Sequence, residues 1–282
     1  MIELKFPSIV ADMSNADYHG NTPGFSSSQL KVLANQTPAH FRAKYIDGHK
    51  DAVSEETQAN FDTGSGIHTL ALEPEKFHSE FAVMPKFDRR TKQGKADHAA
   101  WMDDHGDKTP LTPAQYGTAK ASAEALRQMP SLKGVLERTH MVENSLFWVD
   151  RETGIQLKCR PDLLSPALAC FDVKSTKDAS PGEFDRSVYN FGYHFSAAMY
   201  LDGITQVTGE PLSHFVFLCV EKTAPYCTAA YALDEDAMAL GRKQYRRALE
   251  TLAECQAKDA WPGYAEQITP ISLPAWAFRK AA

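Results

Sequence analysis

The stretch CRPDLLSPALACFDVKST, residues 159–176, decides the reading of the chain. Leu163-Leu164 follows Asp162 and Ala169-Cys170-Phe171 precedes Asp172, so two short apolar runs around a turn at Pro166 predict neighbouring buried strands. Side chains alternate along a strand. Asp172 and Lys174 therefore share one face, about 6.7 Å apart at the usual rise, while Val173 packs behind them. That spacing leaves room for a water molecule between carboxylate and ammonium. Asp-x-Lys on an exposed strand is common and contributes little. The apolar flanks set this pair apart, because they predict burial, and buried charges persist when paired or bound to metal.

Around this stretch the composition is that of an ordinary globular chain: 282 residues, 43% hydrophobic, enough for one sizeable core. One domain over 1–282 is expected, mostly helical over 1–135, with the sheet and its helices over 136–282. The start, MIELKFPSIV, mixes charged and apolar residues, and no run reaches the roughly 18 to 20 apolar residues of a membrane span. No membrane association and a cytoplasmic location are the expectation. Cys159, Cys170, Cys219, Cys227 and Cys255 contain no C-x-x-C pair and read as reduced core thiols, against a cysteine-ligated cluster or structural zinc. A net charge of −6 means that any affinity for nucleic acid requires locally concentrated cations. The most basic stretch holds Lys86, Arg89, Arg90, Lys92 and Lys95; it reads either as a solvated loop or as a grip on a phosphate backbone.

Ser26-x-x-Gln29 has the form of a capping box, and Thr37-Pro38 opens a second helix. A polar loop is expected from Asp47 to Gln58, then a helix from Asp62 or Thr63 to Leu72, stopped by Glu73-Pro74, with Ile67, Leu70 and Ala71 as its apolar stripe. His68 lies one residue off that stripe, and Gly64, a turn earlier, removes bulk beside the imidazole. A lone helical histidine is more often a core or surface residue than a ligand, so a role for His68 depends on convergence with the aspartates. Thr112-Pro113 caps a helix to Gln128. Strands are expected over Met141–Val149 and Ile155–Cys159, with Glu143 on the first, either as a third carboxylate or as an ordinary solvent-face residue. A helical region runs from Ser180-Pro181 to Thr208, strands cover His214–Val220 and Tyr226–Leu233, and a long amphipathic helix follows from Asp234. Trp261, Ile271, Leu273 and Trp276 make the tail apolar enough to dock on the domain or on a neighbouring subunit. The fold class is α/β, a mixed central sheet flanked by helices.

Phosphodiester hydrolysis needs a nucleophilic water, charge neutralisation at the phosphoryl oxygens and help for the leaving alkoxide, which a divalent ion supplies. Two close aspartates call for a cation between them, and oxygen ligands with one histidine suit Mg²⁺ or Mn²⁺. Lys174 would orient the water or stabilise developing negative charge. Gly64-x-x-x-His68 combines here with RPD and DVK, and with NADYHG, FSSSQLKVLANQTPAHF, PKFDRRTKQGK and YHFSAAMYLDG along nearly the whole chain. In this combination the chain resembles the RecE (exonuclease VIII) family, in the RecB-like branch of the PD-(D/E)xK nuclease superfamily.

The resemblance implies a restriction-endonuclease-like core with N-terminal helices, and a catalytic set of His68, Asp162, Asp172 and Lys174. It implies Mg²⁺, with Mn²⁺ able to substitute, held by His68, Asp162, Asp172 and the Val173 carbonyl. It also implies 5′-to-3′ digestion of one strand from double-stranded DNA ends, a RecT-like single-strand annealing protein as partner, a ring-shaped homo-oligomer with a tetramer favoured, and a phage or prophage gene in a bacterial host. The family's Gln-x-x-x-Tyr reads Ser196-x-x-x-Tyr200 here, so the glutamine's contact is either lost, supplied by Tyr193 or His194, or made through water. Tyr193 and Tyr200, with Arg89, Arg90 and Lys92, are the candidate DNA contacts. Two other readings stand beside this one: a non-processive RecB-like nuclease on single strands or flaps, and a weakly catalytic DNA-end-binding recombination scaffold.

Overall fold

A computed structural model describes residues 2–49, 51–138, 141–165, 169–212, 214–265, 267–274 and 277–278; the turn at Pro166 and Trp276 lie outside them. Its elements are, in order, β1 (Ser8–Val10), α1 (Ser27–Asn35), α2 (Pro38–Tyr45), α3 (Glu55–Leu72), α4 (Phe77–Glu80), β2 (Phe81–Val83), α5 (Lys92–Asp104), β3 (Thr109–Leu111), α6 (Pro113–Gln128) and α7 (Pro130–Leu136). There follow β4 (Met141–Val142), β5 (Ser145–Val149), β6 (Gln156–Cys159), β7 (Leu163–Ser165), β8 (Ala169–Thr176), α8 (Pro181–Asn190), α9 (Tyr193–Thr208), β9 (Phe215–Glu221), β10 (Thr228–Ala232) and α10 (Glu235–Lys258).

The helix starts follow from their caps. Gln29 Oε1 accepts the Ser26 N–H at 2.8 Å, and Gln115 Oε1 accepts the Thr112 N–H at 2.8 Å, which closes the reciprocal side of each capping box. Proline stands in the first turn of α2, α6, α7 and α8, where its missing N–H costs nothing. α3 begins at Glu55 rather than near Asp62: Ser54 accepts the Thr57 N–H at 3.2 Å, and Glu55 to Gln58, the end of the expected loop, form the first turn of the helix. The helical region expected from Ser180 to Thr208 is present as two helices, because Gly192 adopts φ +60° between α8 and α9.

A five-stranded mixed sheet has the order β10-β9-β8-β7-β4, with β8 and β9 parallel and the other neighbours antiparallel. Successive residues of β8 and β9 feed opposite cores. Phe171, Val173, Leu218 and Val220 pack with Ile67 of α3 and Leu126 of α6. Cys170, Phe217 and Cys219 pack with Met199 of α9 and Leu249 of α10. Helices thus cover both faces, and each fully buried Leu, Ile or Phe contributes about 1.5–3 kcal/mol. A second, three-stranded sheet has the order β1-β5-β6, and β2 pairs with β3.

The run Met141–Val149 is therefore not one strand. β4 belongs to the large sheet and β5 to the small one, and the chain changes sheet at Glu143, whose φ is +50°. Four cysteines are buried as expected, but Cys227 is exposed. In the tail Trp261 stacks on Phe41 at 6.0 Å, whereas Ile271 (95% exposed) and Leu273 do not dock on the domain. Among the described residues no helix is long and apolar enough to cross a membrane.

α9 and α10 approach so closely that a Cβ on Gly241 would stand 2.1 Å from the His194 carbonyl oxygen. Neither backbone can yield alone. Gly241→Ala is expected to cost about 1–3 kcal/mol, as overpacking does, and to lower the melting temperature by several degrees. Gly117→Ala, on the exposed face of α6 with nothing within 4 Å, should be neutral or slightly stabilising. Thermal denaturation followed by circular dichroism checks the contrast; equal melting temperatures would show that the helices can separate freely.

Candidate metal centre and its cleft

β7 pairs with β8 only as far as Leu163 opposite Phe171, whereas β9 accompanies β8 to Thr176. Past Phe171 one edge of β8 is open. Asp162, the residue before β7, fills the gap: its Oδ2 accepts the Val173 N–H at 2.6 Å and lies 3.2 Å from His68 Nδ1 of α3. The same strand rule that predicted Asp172 and Lys174 on one face holds, but no gap remains between them. The Lys174 ammonium contacts Asp172 directly. Apart from that ammonium, the buried Asp172 Oδ2 meets no hydrogen-bond donor among the described residues.

Glu143 comes into the site because its left-handed backbone, which costs a non-glycine residue of order 1 kcal/mol, turns the chain between the two sheets. Its N–H donates to the Asp162 carbonyl at 3.1 Å. Glu143, Asp162 and His68 each bring a ligand atom within 4.8 Å of the others. Glu143 thus stands partly buried beside Asp162 and His68 rather than on an open solvent face.

The electrostatics are unfavourable to the protein by itself. Burial, then the neighbouring Asp162, pushes the Glu143 carboxyl well above the ordinary carboxylate range. Burial likewise raises Asp162; His68 and Lys174 pull against the rise and Asp172 adds to it. For Lys174 burial acts downward, but Asp172 and Asp162 outweigh it and hold the ammonium above its usual range. Three carboxylates and one imidazole around an underbonded oxygen fit a hard divalent cation. His68, Glu143 and Asp162 would hold it, with Asp172 beside them. The Val173 carbonyl also suits, since N–H and C=O of one strand residue face the same edge.

The cluster opens into a cleft of about 1250 Å³. One wall is α3, with Phe61, Gly64, Ser65 and His68; the other is the α8–α9 corner, with Phe184, Phe191 and Tyr193; Val173 to Lys177 form the floor. Gly64 does face the floor, where a Cβ would stand 3.6 Å from Ser175 Oγ. Arg160 fixes a further margin: its guanidinium donates to Ser145 Oγ at 2.8 Å, Asn15 Oδ1 at 2.8 Å and the Met13 carbonyl at 3.1 Å.

Of the expected DNA contacts, Tyr193 lies in the cleft wall, its ring 5.1 Å from the Lys174 ammonium. Tyr200 stands behind the cleft against Phe215, and Arg89, Arg90 and Lys92 are outside its walls, with Arg90 held by Asp88 at 2.9 Å. Ser196 donates to Ser27 Oγ at 3.0 Å and His194 is tied to Val188 and Gln244, and neither lines the cleft. Sequence reasoning passed over Phe61, Phe191, Lys76, Lys177 and Lys222, which line the cleft, and Lys31, which supports it. They are scattered along the chain and carry no local signal.

Residues 26–274 match the family model described as a PDDEXK-like domain of unknown function (DUF3799). No curated protein matches the sequence. Among solved structures, a protein from Eubacterium rectale described as a "Putative exonuclease" superposes with a TM-score of 0.60 at 15% identity, over 93% of this chain and 96% of the other. That likeness carries the fold.

The raised carboxyls set a pH signature. In chelator the folded chain keeps protons on Glu143 and Asp162 just above the ordinary carboxylate range, where the unfolded chain has released them, so their contribution to stability falls as pH rises. Glu143→Gln should therefore stabilise the metal-free chain more at pH 7.5 than at pH 5. Saturating Mg²⁺ or Mn²⁺ should stabilise the unaltered chain, by about 2.7 kcal/mol at a hundred times the dissociation constant, and this gain should shrink in the variant. Urea unfolding with and without EDTA reads both effects; identical shifts at both pH values would mean that Glu143 ionises freely.

Proposed function

The chain belongs to the PDDEXK-like DUF3799 family, and on that premise we propose that it is a divalent-metal-dependent exodeoxyribonuclease that degrades linear double-stranded DNA from its ends. The observation that carries this reading is the meeting of His68, Glu143 and Asp162 with the Asp172–Lys174 pair at the floor of an open cleft. A cleft of about 1250 Å³ exceeds the roughly 300–1,000 Å³ of a small-molecule pocket, which suits part of a polymer.

A divalent ion bound there supplies Lewis-acid charge neutralisation at the scissile phosphate. The protein's share is positional. Asp162 is fixed by the Val173 N–H, so the ligand set is preorganised by strand backbone rather than by loop side chains. Lys174, kept charged by Asp172 and Asp162, is placed to hold the attacking water or to stabilise charge that develops on the phosphoryl oxygens. His68 buttresses Asp162 from α3.

The finer parts of the proposal rest on the likeness to RecE-type nucleases: Mg²⁺ as the ion, 5′-to-3′ polarity, a ring-shaped homo-oligomer, and a 3′ single-stranded product taken up by a RecT-like annealing protein in phage recombination. The test uses linear duplex labelled at either the 5′ or the 3′ end, beside a covalently closed circle. With Mg²⁺ the 5′ label should be released first as small products, the circle should survive, and EDTA should stop the reaction. Asp172→Ala and Lys174→Ala should each lower the rate by at least about a hundredfold. Undiminished digestion by both variants would overturn the assignment, and early loss of the 3′ label would overturn the polarity.

A further inference from the structure

Phe61 and Phe191 are 59% and 61% exposed, and they stand in opposite walls of the same cleft. One exposed phenylalanine needs no explanation. Two in the walls beside a metal centre are a different matter. Phe61 precedes His68 by seven residues on α3, about 10.5 Å along the helix axis, which is close to three stacked nucleotides at about 3.4 Å each. Lys222, which also lines the cleft, donates to Oδ1 of the preceding residue, Asn60, at 2.9 Å.

On the other wall the Phe191 ring stacks against Tyr193, with centroids 5.6 Å apart and planes at 27°. Its main chain is held by an unusual device. Lys31 of α1, a half-buried ammonium that burial and then Lys174 push down to about 8, donates to the Phe191 carbonyl at 2.9 Å. Gly192 follows at φ +60°, and a Cβ there would stand 3.3 Å from Lys31 Cε. The corner is therefore clamped while the ring it carries is left in solvent. A fixed, exposed aromatic beside a phosphate-cleaving centre matches the stacking platforms used for unpaired bases, which accept any base because each has a π-face.

We propose that Phe61 and Phe191 are base-stacking residues that hold the unpaired nucleotides of the strand being cut, and that Lys31 positions Phe191. The inference rests on the nuclease reading for the polarity of the strand through the cleft, but base stacking itself is measurable without turnover. The occupant is a single-stranded end rather than an intact duplex, because stacking on either ring requires a base free of its partner's stack.

The experiment titrates the full-length protein, in Ca²⁺, into a short single-stranded oligonucleotide carrying 2-aminopurine near its 5′ end. The protein should quench the fluorescence. Phe61→Ala and Phe191→Ala should each weaken binding about tenfold and reduce the quench, Phe191→Trp should retain it, and Lys31→Met should act like a mild Phe191 variant. With Mg²⁺ and linear duplex substrate the alanine variants should raise KM more than they lower kcat. Absence of quenching by the unaltered protein, or a quench unchanged in both alanine variants, would overturn the proposal. If the same variants instead change the oligomeric state in light scattering and leave the quench intact, the rings are a subunit contact and the proposal fails. Quenching without any metal-dependent cleavage would overturn the nuclease reading and leave the stacking assignment standing.

Discussion

The hydrogen bond from the Val173 N–H to Asp162 is the constraint around which the site is built. Where β7 leaves β8 after the Leu163–Phe171 pair, a buried N–H would be left without a strand partner, at a cost of about 1–3 kcal/mol. Asp162 takes the partner's place. Strand divergence and carboxylate placement are thus one event: the sheet cannot part here without a side-chain acceptor, and the acceptor is held as rigidly as the sheet. Glu143 is tied to the same point through its own N–H on the Asp162 carbonyl. Glu143 follows β4, Asp162 precedes β7 and Asp172 lies within β8, and the three carboxylates gather because these strands are neighbours in the large sheet.

Such an arrangement is stable only within a larger fold. Burial, with Asp162 and Asp172 nearby, raises the Glu143 carboxyl, burial and Asp172 raise that of Asp162, and Lys174 is the cation pressed against Asp172. Removing charges from water costs several kcal/mol per ion even after relaxation. The apolar packing on both faces of β8 and β9 outweighs that cost, and Val173, whose side chain joins one core while its N–H holds Asp162, belongs to both the support and the site. A divalent ion bound at the cluster would relieve the repulsion that the fold imposes, so this cost would drive its binding.

What could be read in the sequence was whatever depended on neighbours along the chain. The alternation in Asp172-Val173-Lys174, the caps at Ser26 and Thr112, and the proline stop after Leu72 are all local, and all appear where expected. The fold class followed from their order. Glu143 could not be placed, because alternation along Met141–Val149 presumes a continuous strand and the chain breaks that presumption with a left-handed residue. The start of α3 was missed for a related reason: a polar stretch resembles a loop until its cap at Ser54 is given more weight than its lack of apolar periodicity. Lys31 and Phe191 meet across 160 positions, a relation that no local pattern carries.

The basic stretch shows the same limit in terms of charge. Lys86 to Lys95 holds five cations in ten residues, yet Arg89, Arg90 and Lys92 are not in the cleft walls. The cleft's cations come from distant positions, and several are already engaged: Arg160 with Ser145, Asn15 and Met13, Lys76 with Asp12 and Glu73, Lys222 with Asn60. They shape the walls as much as they charge them. On the proposed reading, a chain of net charge −6 cannot hold a polyanion by ion pairing alone. Attraction has to come from the divalent ion at the carboxylates and from rings that take the bases, two contributions that are strong at short range and weak at a distance. An acidic chain arranged in this way would engage a strand only where a phosphate and an unpaired base are presented together, as they are at a DNA end.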